Sequence, residues 1–164
     1  MTWPYVILGL VGVQRLAELI YSAHNEKNLK ARGAVEVGAG HYPLLVAVHA
    51  AWFFAMAFSI DATTPIQQAF LGAFILLQLG RAWVLLTLGA YWTTRLFHLE
   101  NVPTIRRGPY RFLRHPNYLV VAGEIAVLPL AFGFWRIAIV FSLLNVAVLL
   151  WRIRIENGFL ARRP

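Results

Sequence analysis

Residues Ile66–Trp92 read IQQAFLGAFILLQLGRAWVLLTLGAYW, with Arg81 the only formal charge. A helix needs about 20 predominantly apolar residues to cross a hydrocarbon core, and this stretch exceeds that length. Working outward, Trp3–Tyr21 and Tyr42–Ile60 precede it and also qualify, while Tyr118–Phe132 and Phe134–Trp151 follow it and are short. Phe132-Gly133-Phe134 joins the last two with almost no loop, which predicts a tight helical hairpin whose tip reaches the far interface. The expected fold is all-α: a polytopic membrane bundle of five transmembrane helices, the last two forming that hairpin.

Composition agrees. Of 164 residues, 59% are hydrophobic and 13% charged, against roughly 25% charged in soluble domains. So few charges cannot make a water-soluble surface. Neither a Ser/Gly-rich linker nor an internal repeat divides the chain, so residues 1–164 are expected to form one domain. The absence of cysteine removes disulfides, thiolate metal sites and cysteine nucleophiles, and no metal is expected. Trp3–Tyr21 has no basic leader and carries Arg15 and Glu18, so it is expected to remain as a span and not to be removed as a signal.

A formal charge of +8 suggests nucleic acid until the charges are located. Lys27, Lys30 and Arg32 follow the first span. Arg95, Arg106, Arg107, Arg111 and Arg114 follow the third, and Arg152, Arg154, Arg162 and Arg163 follow the fifth. With five crossings these segments share one face if the N-terminus is outside and the C-terminus cytoplasmic, leaving Asp61–Pro65 and Gly133 as outer turns. Twelve of the fifteen basic residues then lie inside, as the positive-inside bias requires, and nucleic acid is not needed. Arg15, Glu18, Arg81 and Glu124 fall within spans, where a charge must find a partner or water. Two readings are open: they pair and lock the helices, or they serve a pocket.

The richest polar segment is Asn101–Tyr118, NVPTIRRGPYRFLRHPNY. Gly108-Pro109 sets a turn, and Pro116 opens the next helix at a position that tolerates proline, with His115 near the N-cap. A helix N-terminus offers free N–H groups and a positive dipole end, so His115 and the following amides could hold a carboxylate or phosphate. The other reading is a basic loop in which Arg106, Arg107, Arg111 and Arg114 meet lipid head groups. The hairpin should return Arg152-Ile-Arg-Ile-Glu156 beside this segment. Arg152 and Glu156, four residues apart, then either pair on one helix face or line a cavity for a ligand's opposite charges.

Gly108-Pro-Tyr-Arg-Phe-Leu-Arg-His-Pro-Asn-Tyr118 followed by Arg152-Ile-Arg-Ile-Glu156 resembles the isoprenylcysteine carboxyl methyltransferase family. Both motifs occur in order and are separated by a hairpin of the family's length. Gly33-Ala-Val-Glu36 and His41-Tyr-Pro43 are similar to bacterial members often associated with polyketide-lipid methylation. The resemblance implies S-adenosylmethionine as methyl donor, bound over a core of about 95–160. It implies cofactor contacts from Tyr110 and from His115, Pro116, Asn117 and Tyr118, with Val102, Pro103, Thr104 and Ile105 as another wall. Glu156 would hold the ammonium and Arg152 would contact the acceptor. The sequence departs from the family at Asn157, where a second acidic residue is common, and at Arg95.

The expected activity is therefore methyl transfer to an oxygen, a carboxylate or an acidic hydroxyl, of a lipid-like acceptor at the cytoplasmic face of a bacterial inner membrane. An amine-headed phospholipid is an alternative acceptor. A transporter or scaffold is the alternative class, in which the arginine-rich loop binds membrane lipids. Trp83, Tyr91 and Trp92 line an acceptor entrance or belong to an interfacial aromatic belt.

Overall fold

The computed structural model describes residues 3–100 and 105–160. Among the described residues, five helices form the bundle: α1 (Trp3–Ala31), α2 (Tyr42–Ser59), α3 (Gln68–Leu88), α4 (Pro116–Ala131) and α5 (Trp135–Leu160). Four of them are long and apolar enough to cross a membrane. The short member is α4, with 16 residues, or about 24 Å at 1.5 Å per residue. The protein is an all-α integral membrane bundle.

Two boundaries differ from expectation. α5 is not short, because it continues past Trp151 to a length of 26 residues. α1 likewise runs past Tyr21 to Ala31. In both cases the apolar run marks only the lipid-facing part, and a helix whose backbone bonds are already formed continues through its polar last turns. A two-stranded ribbon was also not anticipated: β1 (Val35–Glu36) and β2 (Phe97–His98) pair antiparallel, Val35 with His98 and Glu36 with Phe97. Two-residue strands are too short to show a period of two.

The hairpin forms as predicted. Gly133 has φ 78, a left-handed conformation that a Cβ would strain. The N–H groups of Gly133 and Phe134 return to the carbonyls of Leu130 (3.0 Å) and Pro129 (2.8 Å). They satisfy acceptors that the end of a helix otherwise leaves open. The adjoining turn is tied to it by the Gln67 N–H donating to Ala131 O at 2.8 Å. Near this end lies the apolar core, in which Leu8, Val11, Trp52, Met56, Phe74, Ile125, Leu128 and Phe132 are buried together. Lipid is as apolar as leucine, so tight packing and not water exclusion holds such a core.

Nearer the middle, the intramembrane charges pair with one another. Arg81 donates from Nε and Nη2 to Glu18 at 2.6 Å each and from Nη1 to Glu124 at 2.8 Å. Arg15 reaches Glu18 at 2.8 Å and Glu124 at 2.9 Å. Gln14 and Gln78 complete the set, donating to Glu18 at 2.9 Å and to Glu124 at 2.7 Å. Two cations and two anions cancel, and α1, α3 and α4 are joined at one point. Of the two readings left open, pairing is the one observed.

Candidate functional site

The opposite end of the bundle gathers the last turns of α1, α3 and α5 with the first turns of α2 and α4. A cavity of about 220 Å³ opens there, walled by the segment after α3, by Tyr110, by the start of α4 and by the inner end of α5. Gly108 anchors the connecting loop. Its φ is 57, a Cβ on it would collide with the Thr87 side chain, and Arg107 Nη2 donates to Thr87 O at 3.2 Å. Gly108→Ala should therefore lower stability by about 1–3 kcal/mol through backbone strain and that collision, read as a lower melting temperature in detergent.

The 3₁₀ turn Gly108–Arg111 delivers Tyr110 to the cavity. Burial, and secondarily the negative charge of Glu156, push the Tyr110 phenol up to about 12. It is thus a neutral hydrogen-bond donor at any working pH and not a base. His115 is the N-cap of α4 and Pro116 stands in the first turn, as predicted, but the imidazole makes no capping bond. It stacks on Tyr118 instead, with centroids 5.1 Å apart and planes at 7°, and its Nδ1 lies 3.7 Å from Glu156 Oε2.

Arg152 and Glu156 do not pair directly among the described ion pairs; Tyr118 stands between them. Its hydroxyl accepts from Arg152 Nε at 2.9 Å and donates to Glu156 Oε2 at 2.9 Å. Arg152, which is buried, also donates from Nη1 to Thr94 O at 2.8 Å. A guanidinium carries five N–H donors in a rigid fork. Among the described residues, these bonds engage Nε and one Nη1 hydrogen, and the other N–H groups can meet a ligand. On the other wall, Arg95 is held by Glu36 at 2.7 Å and Glu26 at 3.7 Å and lies 4.2 Å over the Tyr42 ring. The Glu36 hydrogen bond first, and the charge of Glu36 and Glu26 besides, push Arg95 further above its ordinary range.

Tyr110, His115, Asn117, Tyr118, Arg152 and Glu156 thus meet in one cavity. Pro116 opens the helix beside it without lining it, and Ile105 is half-buried and not among the lining residues. Val102, Pro103 and Thr104 lie outside the described residues. Of the three aromatic residues considered for an entrance, Tyr91 and Trp92 line the cavity and Trp83 does not. Among the described residues, two atoms of the wall are buried without a partner, Asn117 Oδ1 and Trp92 Nε1. One needs a donor and the other an acceptor, so the wall offers unmet hydrogen bonds of both kinds to a ligand.

Sequence reasoning missed the N-terminal contribution. Thr94 holds Arg152 through its carbonyl and is itself bonded to Ser22 at 2.9 Å and 3.0 Å. Asn25 donates to Trp92 O at 2.8 Å. A signal was present: Leu8, Val11, Glu18, Ser22, Asn25 and Leu29 are buried on α1 at spacings of three, four or seven residues, so polar residues continue the stripe that begins as core.

Known proteins are similar to this chain in sequence. The chain is 33% identical over 157 residues to "Uncharacterized protein YpbQ" of Bacillus subtilis (strain 168), covering 93% of this chain and 94% of that one. It is 30% identical over 113 residues to an "Uncharacterized protein" of Haemophilus influenzae (strain ATCC 51907 / DSM 11121 / KW20 / Rd), covering 65% and 64%. No solved structure matches. The model of the isoprenylcysteine carboxyl methyltransferase (ICMT) family matches residues 70–162, more than half of the chain. That stretch holds the loop, the start of α4 and the end of α5 that wall the cavity, and the chain belongs to the isoprenylcysteine carboxyl methyltransferase family.

Proposed function

We propose that this protein transfers a methyl group from S-adenosylmethionine to an oxygen of a lipid-like acceptor, at the cytoplasmic face of the bacterial inner membrane. The observation that carries the reading is the Arg152–Tyr118–Glu156 chain, with His115 against Glu156, in a cavity of a methyltransferase-family protein. The residues suit the donor. Glu156 offers a carboxylate to an ammonium group. His115 and Arg114 stand at the start of α4, where the positive dipole end favours a carboxylate. Asn117 and Trp92 have unmet hydrogen bonds for polar ring atoms. The basic segments at the cavity's end of the bundle support a cytoplasmic orientation.

Bound there, S-adenosylmethionine supplies an electrophilic methyl group on a sulfonium. Arg152 orients the acceptor with its other N–H groups and favours the ionised oxygen, so a carboxylate or acidic hydroxyl needs no dedicated base. One O–C bond forms as one S–C bond breaks, and the anionic oxygen and cationic sulfur both become neutral. Tyr118 ties Arg152 to Glu156, so the acceptor-contacting and donor-contacting groups keep one spacing, as in-line transfer requires. Trp92, 2% exposed, and Tyr110 keep water from the reacting groups.

Calorimetry with the purified protein in detergent tests the donor. Saturable S-adenosylmethionine binding is expected, weakened about 10-fold or more in both Glu156→Ala and His115→Ala, the scale of losing a hydrogen bond to a charged group. A folded wild type that does not bind overturns the reading and favours a scaffold held together by its buried charges. The acceptor is tested by transfer of labelled methyl to S-farnesylcysteine, a long-chain alkylresorcinol and phosphatidylethanolamine. Label on the amine alone overturns oxygen transfer.

A further inference from the structure

We propose that Ser22 and Asn25 of α1 are positioning residues for the acceptor site, acting through the segment 92–94 on the Arg152 guanidinium. The inference rests on the reading of Arg152 given above. It extends the site to the first membrane helix, which lies wholly outside the family match at 70–162.

Ser22 and Asn25 are 1% and 2% exposed, so their polar groups are committed to partners within the bundle. Asn25 Nδ2 donates to Trp92 O at 2.8 Å and to Gly89 O at 3.2 Å, two carbonyls just past the end of α3. Ser22 Oγ donates its single hydrogen to Glu26 Oε1 at 2.8 Å and accepts the Thr94 N–H at 2.9 Å.

Counting hydrogens then orients the rest. Ser22 Oγ has no further hydrogen for Thr94 Oγ1, 3.0 Å away, so Thr94 must donate to it. Tyr42 OH, 3.1 Å from the same Thr94 oxygen, must in turn donate to Thr94. Tyr42, Thr94, Ser22 and Glu26 form a one-directional chain ending on a carboxylate.

Thr94 thereby has its N–H and its hydroxyl fixed from α1 and α2, while its carbonyl accepts from Arg152 Nη1 at 2.8 Å. The guanidinium is planar, and two bonds, to Thr94 O and to Tyr118 OH, fix its plane and direction. Displacing Thr94 rotates the donors that remain for the acceptor. Misplacement of about 1 Å can cost on the order of 100-fold in a reaction that depends on alignment.

The test measures kcat, cofactor affinity and melting temperature with labelled S-adenosylmethionine and, as probes, S-farnesylcysteine and a long-chain alkylresorcinol. Ser22→Ala and Thr94→Val should each lower kcat about 10-fold, with cofactor affinity changed by no more than about twofold. Thr94→Ser, which keeps the hydroxyl, should recover most of the loss. On an Arg152→Lys background, Ser22→Ala should add less than about twofold, because residues acting through one group are not additive.

A loss that multiplies in full onto Arg152→Lys, or that tracks cofactor affinity, overturns the positioning role and leaves the methyltransferase reading intact. A wild type that fails to bind cofactor overturns both. One arm needs no acceptor: with nitrogen-labelled arginine, NMR should show faster exchange of the Arg152 Nε–H in Ser22→Ala. An unchanged rate overturns the inference.

Discussion

Arg152→Ala is expected to lower turnover about 10²–10³-fold, the usual loss when one preorganised donor to a reacting oxygen is removed, while binding of S-adenosylmethionine largely survives. The split follows from the partners. Arg152 bonds Tyr118 OH and Thr94 O, whereas Glu156 keeps its bond from Tyr118 and its approach to His115 without it. Arg152→Lys should not restore activity, because a single ammonium cannot reproduce the planar fork that meets two fixed acceptors and a ligand at once. Turnover of labelled acceptor, set beside calorimetric cofactor affinity, checks both statements. Equal loss of both quantities in Arg152→Ala would remove the distinction between the two halves of the cavity.

The largest stability effect is expected at Arg81, which does not line the cavity. Arg81→Met leaves Glu18 and Glu124 buried with Arg15 as their one cationic partner among the described residues. Breaking a buried pair in this way costs about 3–5 kcal/mol, a large fraction of a domain's total stability. The folded, monodisperse yield in detergent should collapse. The triple change Arg81→Met, Glu18→Gln, Glu124→Gln should recover much of it, because what destabilises is the uncompensated charge and not the absence of the ion pair. Size-exclusion profiles and melting temperatures of the two variants provide the check. A stable single variant would mean that water or lipid head groups reach these carboxylates.

The two arginines were not equally legible. Arg81 stands alone in a long apolar run, and the cost of a charge in hydrocarbon makes such a residue conspicuous. That it needs a partner follows from the sequence. Which partner does not, because Glu18 and Glu124 are 63 and 43 residues away and only the packing of α1, α3 and α4 brings them within reach. Arg152 and Glu156 have the spacing of an ordinary surface pair on a helix. Nothing in that spacing reveals that the Tyr118 hydroxyl stands between them, 34 and 38 residues distant.

What the sequence by itself determined is the environment and the punctuation. Apolar lengths required membrane helices, Gly133 required the hairpin turn, and Pro116 required a helix start beside His115. Each of these is a local demand of chain geometry or solvation, and a local demand can be read in order along a chain. The tertiary structure alone decided the directions of side chains: that Arg152 meets Tyr118 and Thr94, that His115 stacks and does not cap, and that β1 meets β2. It also decided that Ser22 and Asn25 of the first helix reach the segment that fixes Arg152. A hydrogen bond depends on separations of tenths of an ångström between residues tens of positions apart, and only the packed bundle sets those.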